Sequence, residues 1–345
     1  MNNKAAFCTG IEDMEIMDAP MPKCGHADVL IEVKYCGVCG SDAYWYAHGE
    51  VGFEDVYPYI LGHEFAGTII EVGERVKNFS VGDRVAVEPG VPCGKCKWCK
   101  EGRYNLCPDI RFLSAPRAHG AMQKYVAHPA EYCFKLPDNI SCKSGALIEP
   151  FAVGLHAIET AQINPSKTIA ILGAGCIGLC TLLAAKLYNA SRIFVIDIFD
   201  NKLKMALDFG ADAVINSKNQ EVETNIKKLT NDRGVDIVLE AAGTPITTAL
   251  AEKLVSRGGD IVLIGSTHNS VPFEFYSIIS REVSIKPIFR YCNNYPVAID
   301  ALAQNKVELE SLITSEFSLN EAKKAFDTAL YDREKNIKVM VKICE

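Results

Sequence analysis

The chain has 345 residues, 48% of them hydrophobic and 23% charged, with a formal net charge of −7. At roughly 100–200 residues per domain that length predicts two domains, and the composition excludes long disorder. No run of about 18 uninterrupted apolar residues is present, which excludes a membrane-spanning helix, and an acidic chain without a long basic block is a poor general nucleic-acid binder.

In chain order, Met1 to Glu15 carries neither the basic start nor the apolar run of a secretory leader, which predicts a cytoplasmic protein. The next predicted elements are strands: Val29–Tyr35, which alternates between two faces, then Thr68–Val72 and Arg84–Val87, with Pro and Gly recurring between them. This half reads as an antiparallel β domain with long loops. After Pro150 the texture changes. Thr168–Leu172 is a continuous apolar strand, Ile177–Asn189 a helix and Arg192–Ile196 a second strand. Helix-like and strand-like segments then alternate through Lys202–Phe209, Ala213–Ile215, Val222–Thr230, Ile237–Leu239, Thr247–Val255 and Ile261–Ile264. That rhythm predicts a doubly wound parallel sheet. Beyond Tyr291 the rhythm is lost; Val297–Ala303 and Glu321–Ala329 read as helices and Lys338–Ile343 as a last strand.

Gly173-Ala174-Gly175-Cys176-Ile177-Gly178 fits G-x-G-x-x-G between a buried strand and a helix. Asp197 ends the next strand, 24 residues after Gly173. In that context the motif predicts a dinucleotide site: a tight turn at Gly173, pyrophosphate against the backbone at Gly175, close helix packing at Gly178, and ribose hydroxyls on Asp197. The acid disfavours a 2′-phosphate, so NAD is expected over NADP, although Lys202 nearby tempers that preference. FAD and S-adenosylmethionine sites with similar turns are the rivals.

Fourteen cysteines are present, and in a reducing compartment they read as free thiols or metal ligands. Cys93-x2-Cys96-x2-Cys99-x7-Cys107 has the spacing of one tetrahedral, closed and therefore structural zinc site. Lys95, Lys97, Lys100 and Arg103 offset its negative charge. An iron–sulfur cluster, a disulfide pair and a nucleic-acid-binding zinc knuckle are the alternatives. Most of the other ten cysteines are expected in the core. Cys39, His63, Glu64 and Glu149 offer the mixed thiolate, imidazole and carboxylate donors of catalytic zinc, but spacing alone does not select them.

Gly62-His63-Glu64-x2-Gly67-x5-Gly73-x2-Val76, with Cys39 upstream, the four-cysteine lobe and the glycine fingerprint in order, resembles the zinc-containing medium-chain alcohol dehydrogenase family along essentially the whole chain. Cys39-Gly40-Ser41-Asp42, Ala146 to His156 and Phe289-Arg290-Tyr291-Cys292-Asn293 resemble its polyol branch, the sorbitol (L-iditol) and xylitol dehydrogenases. The resemblance implies an α/β protein: a GroES-like β-rich catalytic domain over 1–151 with a zinc lobe at about 90–110, a Rossmann domain over 152–288, and a return to the catalytic domain over 289–345. It implies NAD and two Zn²⁺ per subunit, and interconversion of a polyol and its ketose by hydride transfer. Cys39 and His63 would hold the catalytic zinc, and Glu64 and Glu149 would ligate it or lie just behind it. Ser41 would bond the reacting hydroxyl. Trp45, Phe112, Glu149, Arg290 and Tyr291 would meet substrate. Ile177, Lys202, Ile264, Gly265, Ser266, Phe289 and Arg290 would join the fingerprint in holding the cofactor. The family implies a homotetramer or a dimer, for which the apolar run Ile261–Gly265 is a candidate contact, with a small polyol or ketose as substrate and neither nucleic acid nor membrane as partner.

Three departures qualify the match. Tyr44 stands where the family carries a histidine, which leaves the outer proton relay open, with His48 as a substitute. Trp45-Tyr46 reverses the expected Tyr–Trp order. Pro116-Arg117 replaces Pro-Pro, which opens a polyol phosphate such as galactitol 1-phosphate as an alternative substrate. Butanediol, threonine and other secondary alcohols are further alternatives, as is a non-catalytic zinc protein on the same scaffold.

Overall fold

The computed structural model describes residues 2–49, 56–115, 118–267 and 269–344. The chain forms two compact units, one of Met1–Glu149 with Tyr295–Glu345 and one of Pro150–Asn294. The stretch Phe289–Asn293 therefore sits with the second unit.

The first unit is built around a seven-stranded sheet in the order Cys133–Lys135, Arg84–Val87, Glu64–Val72, Asp28–Val38, Lys338–Lys342 and Ile313–Ser318, with Tyr125–Pro129 also paired to Asp28–Val38. Pairing is antiparallel except between the last two strands of that order. The late strand Lys338–Lys342 thus lies beside Asp28–Val38, with Met340 opposite Gly37. Gly37 also faces Glu64 across the other edge. A smaller sheet joins Asp13–Ala19, Asn3–Gly10 and Tyr59–Ile60. Ile31, Val33, Phe65, Ile69, Val85 and Phe326 are all at most 1% exposed and anchor the core between these layers.

Helix Gly40–His48 escapes sequence prediction because it opens on Gly and Ser and has no side-chain cap at its Cys39 N-terminus. Packing holds it instead. Tyr46 is fully buried, tilted on Phe326 at 5.3 Å, and donates to Asp327 Oδ1 at 2.7 Å. Tertiary burial outweighs weak propensity here.

The second unit is a six-stranded, all-parallel sheet in the order Ala213–Asn216, Arg192–Asp197, Thr168–Leu172, Val235–Glu240, Val255–Leu263 and Ser284–Pro287. Counted within the unit this is the doubly wound order that binds ligands at the carboxyl ends of its strands. Ile169, Ile171, Ile193, Val195, Ile237 and Leu239 are fully buried, as strands covered on both faces must be. The strand predicted at Ile261–Ile264 begins earlier, at Val255, directly after helix Pro245–Leu254. Ser256-Arg257-Gly258-Gly259 reads as a turn, yet it is absorbed into the strand by a register irregularity opposite Val235 to Ile237. In the apolar run Ile261–Gly265, Ile261 and Val262 are fully buried inside this sheet while Leu263, Ile264 and Gly265 are half-buried.

Candidate active site and dinucleotide site

Cys39 leaves the end of strand Asp28–Val38 and starts helix Gly40–His48. His63 and Glu64 lead into strand Glu64–Val72. One ligand atom from each of Cys39, His63 and Glu64 lies within 4.8 Å of the others. His63 and Glu64 are buried while Cys39 is half-buried, so the donor set is closed behind and open on one side.

The imidazole is held from behind. His63 Nδ1 faces Asp42 Oδ1 at 3.2 Å. Ser114 Oγ donates to the same oxygen at 2.5 Å and accepts the Gly62 N–H at 2.9 Å. Asp42 and Ser114 are fully buried. A carboxylate on Nδ1 leaves Nε2 as the free lone pair, the usual arrangement of a metal-ligating histidine. Burial opposes charge on His63, but Asp42 and Cys39 outweigh it and raise its pKa well above the ordinary histidine value. The surroundings of the ring therefore favour a cation.

Glu64 is fully buried, and Lys338 Nζ donates to its two oxygens at 2.8 and 2.6 Å. Lys338 is itself 3% exposed and also donates to the Val38 carbonyl at 3.2 Å. A Cβ at position 37 would lie 2.2 Å from Glu64 Oε2, so any larger residue there would have to displace the carboxylate from Lys338. Two buried carboxylates, Asp42 and Glu64, gather here with Cys39, and one buried ammonium, Lys338, pairs with Glu64. The excess of anionic donors, with their S, N and O chemistry, fits a divalent zinc ion.

Among the described residues the cluster does not include Glu149. Glu149 is 6% exposed at the start of helix Ile148–Thr160, and its charge acts on Glu88. Burial pushes the Glu88 carboxyl up to about 7, against a hydrogen bond from Tyr104 and with Glu149 adding to the rise. Phe112 is 9% exposed, with its ring 5.3 Å from that of His63. Ser41 is exposed, and its Oγ lies 3.3 Å from Cys39 Sγ. Trp45 packs against the core. Tyr44 is 40% exposed and stacks on His48 at 4.6 Å. Pro116 and Arg117 lie outside the described residues.

In the cysteine lobe, one sulfur from each of Cys93, Cys96, Cys99 and Cys107 falls within a 4.8 Å cluster. The Cys96 and Cys99 sulfurs are 3.4 Å apart, too far for a disulfide, and all fourteen cysteines are free thiols. Backbone N–H groups of Lys95 and Cys96 lower the Cys93 thiol, whereas burial and the neighbouring thiols raise Cys99. Four thiols crowded this way can all ionise only around a cation. Lys97 and Arg103 pack over the Trp98 ring at 5.1 and 5.2 Å. Elsewhere Cys8, Cys36, Cys133, Cys142 and Cys180 are core thiols, but Cys24, Cys176, Cys292 and Cys344 are only half-buried, fewer core positions than composition suggests.

In the second unit, strand Thr168–Leu172 runs into the glycine turn and helix Cys176–Leu187. A Cβ at Gly175 would meet nothing within 4 Å, while one at Gly178 would lie 1.8 Å from the Gly173 carbonyl. The turn is thus open outward and sealed inward, as a phosphate cradle requires. Asp197 Oδ2 accepts the Ala174 N–H at 2.6 Å, and Oδ1 accepts those of Ile198 and Phe199 at 2.7 and 3.0 Å. Lys202 is 7% exposed with Nζ 5.3 Å from the centre of the Phe199 ring. The Ile264 and Gly265 N–H groups both bond the Glu240 carbonyl at 2.9 Å. Arg290 packs over Phe289 at 4.6 Å, and Tyr291 is 3% exposed. Sequence reasoning missed Ser114, Glu240 and Lys338, and it quoted Asp42 without assigning it a role.

The description "Alcohol dehydrogenase GroES-like domain" matches residues 25–138, and "Zinc-binding dehydrogenase" matches residues 176–304. The chain is 43% identical to the sorbitol dehydrogenase of Bacillus subtilis over 99% of this chain and 97% of that protein. It is 38% identical to the sorbitol dehydrogenase of Arabidopsis thaliana over 95% of this chain and 92% of that one. A solved Escherichia coli oxidoreductase/dehydrogenase of unknown specificity superposes with a TM-score of 0.97 at 40% identity, covering 100% of both chains. No helix among the described residues is long and apolar enough to cross a membrane. By this likeness along its whole length, the chain belongs to the zinc-containing alcohol dehydrogenase family, with a GroES-like domain and a Rossmann-like domain.

Proposed function

We infer that the protein is an NAD-dependent polyol dehydrogenase that interconverts a polyol of the sorbitol, xylitol or L-iditol type and its ketose. The observation that carries this reading is the Cys39–His63–Glu64 cluster, found in a chain that matches sorbitol dehydrogenases from end to end. Cys39, His63 and Glu64 would hold a catalytic zinc, with Glu149 as a further ligand or as a neighbour of the metal. Cys93, Cys96, Cys99 and Cys107 would hold a second, structural zinc. When bound, zinc supplies Lewis acidity to a substrate hydroxyl and the nicotinamide supplies the hydride acceptor.

The chain's own groups do the rest. Asp42 fixes the His63 ring. Ser41 takes the hydroxyl proton at Oγ and, being exposed, releases it to water. Beyond Ser41 the relay stays open, with His48, stacked on Tyr44, as the substitute for the family's histidine. By family likeness Phe112 and Trp45 would supply apolar walls to the substrate, and Arg290 and Tyr291 hydrogen bonds to its further hydroxyls. Gly173, Gly175, Ile177 and Gly178 seat the pyrophosphate, Asp197 the adenosine ribose, and Ile264, Gly265, Ser266 and Phe289 the nicotinamide half.

Asp197 is the basis for preferring NAD. Its charge would repel a 2′-phosphate, and the nearby Lys202 ammonium is buried over Phe199. Asp197→Ser is expected to shift the NAD/NADP ratio of kcat/KM toward NADP by about 10–100-fold, one to two steps of about 1.4 kcal/mol. An unchanged ratio would sink this assignment.

The same reading places the protein in the reducing cytoplasm, as a homotetramer or dimer. Strand Ser284–Pro287 is the open edge of its sheet. Beside it in sequence, Phe275, Tyr276 and Ile279 are 76%, 82% and 68% exposed, an apolar surface suited to a second copy.

The deciding experiment measures NADH formation with sorbitol, xylitol, L-iditol, galactitol and their phosphates, before and after metal chelation. Turnover on a free polyol, lost on chelation and regained with Zn²⁺, is expected. Metal analysis should find about two zinc ions per chain, falling to about one in Cys99→Ser, since loss of one thiolate opens a closed tetrahedral site. Activity confined to a polyol phosphate, butanediol or threonine would replace the substrate assignment.

A further inference from the structure

We propose that Glu240 is a positioning residue for the dinucleotide: a buried carboxylate that sets the spacing of the loops at the carboxyl ends of the parallel strands. It rests on the nicotinamide-cofactor reading above and extends it to a residue that reading does not use.

Glu240 ends the strand Val235–Glu240, next to Thr168–Leu172, and is fully buried. Its Oε1 accepts three donors: the N–H groups of Ala242 at 3.0 Å and Gly243 at 2.9 Å, and the Thr247 hydroxyl at 2.8 Å. Burial raises its carboxyl pKa, and these three bonds oppose that rise. A fully buried carboxylate is costly unless it is well bonded, so its presence directly after the buried run Ile237-Val238-Leu239 calls for a role.

The two amides it grips are those that touch the cofactor segments. A Cβ at Gly173, the first glycine of the fingerprint, would lie 3.0 Å from Ala242 N. A Cβ at Gly265 would lie 2.3 Å from Gly243 N and 2.9 Å from Glu240 Oε2, and one at Gly243 would lie 2.8 Å from the Ser266 carbonyl. The backbone carbonyl of Glu240 meanwhile accepts Ile264 N and Gly265 N, both at 2.9 Å. Thr247 sits in the first turn of helix Pro245–Leu254, capped by Thr244. One residue thus connects the pyrophosphate turn, the loop after its own strand and the Ile264–Ser266 segment: its side chain grips the loop that abuts the pyrophosphate turn, and its backbone carbonyl holds Ile264 and Gly265. Shifting Ala242 or Gly243 by a few tenths of an ångström has to move one of the other two, because no slack separates them.

The test is NAD affinity by isothermal titration on the zinc-loaded protein, with thermal melting and steady-state kinetics alongside. Glu240→Ala should weaken NAD binding about 10-fold or more, the range for losing hydrogen bonds to a charged group, with KM for polyol and zinc content unchanged. Glu240→Gln keeps the Oε1 acceptor and should stay within about threefold of the parent. Thr247→Val removes one of the three donors and should fall between them, which keeps the idea testable if Glu240→Ala does not fold. A folded Glu240→Ala that lowers the melting temperature but binds NAD like the parent would overturn the proposal and leave the residue a structural one. So would Glu240→Gln as weak as Glu240→Ala, or Thr247→Val equal to the parent. An unsubstituted protein that binds no NAD would overturn the cofactor reading itself, a different result.

Discussion

Cys39→Ser is expected to lower kcat/KM for the polyol by about 1,000-fold or more, about 4 kcal/mol at 1.4 kcal/mol per factor of ten, while NAD affinity stays within a factor of about two. The proposed zinc donors and the glycine fingerprint lie in separate compact units, so replacing Cys39 should not disturb the nucleotide turn. Asp42→Asn is the informative companion. Asn keeps an acceptor for His63 and for Ser114 but removes the charge behind the ring, so a loss of about 10–100-fold in activity or zinc affinity is expected. Kinetics combined with zinc analysis separates the two variants. If Cys39→Ser turns over like the parent, the cluster of Cys39, His63 and Glu64 is not where the chemistry occurs.

Lys338→Met is expected to cost about 3–5 kcal/mol of stability in the zinc-free protein, because it strands the Glu64 carboxylate in the interior without its partner. The loss should shrink when zinc is added, since a ligand that binds the folded state supplies both countercharge and binding free energy. Lys338→Met with Glu64→Gln should recover most of the stability and none of the activity. Denaturant unfolding of the single and double variants, with and without zinc, measures each arm. A single variant within about 1 kcal/mol of the parent would mean the pair behaves like an exposed ion pair, against its near-complete burial.

The second unit was legible because its signals are local. Apolar strands, a glycine turn and an acid at a strand end follow one another within some thirty residues, and each is diagnostic by spacing. Cys39, His63 and Glu64 were named through family likeness, which carries across the long loops between them. Lys338, Ser114 and Glu240 were not found, for a shared reason: their partners are far away in sequence or in loops without periodicity. Lys338 meets Glu64 across 274 residues. It did leave a trace, since a lysine on the inward face of Lys338-Val339-Met340-Val341 breaks the apolar pattern of a buried strand. Glu240 left the same trace at the end of Val235–Glu240. A charge inside an apolar run marks a buried counter-group, though not which one. Helix Gly40–His48 was hidden differently, because packing of Tyr46 and not its own propensity forms it.

The strand Lys338–Lys342 also bears on how such a chain matures during synthesis. It inserts between Asp28–Val38 and Ile313–Ser318, after the whole second unit has been made. A nascent chain can complete the parallel sheet of Pro150–Asn294 while the first sheet still lacks an inner strand, because domains fold as units as they emerge. Until residue 338 has been made, Glu64 lacks the ammonium that bonds both of its oxygens in the finished fold. The surroundings of Glu64 are therefore completed last: the strand that closes the first sheet is also the one that brings the buried ammonium to its carboxylate.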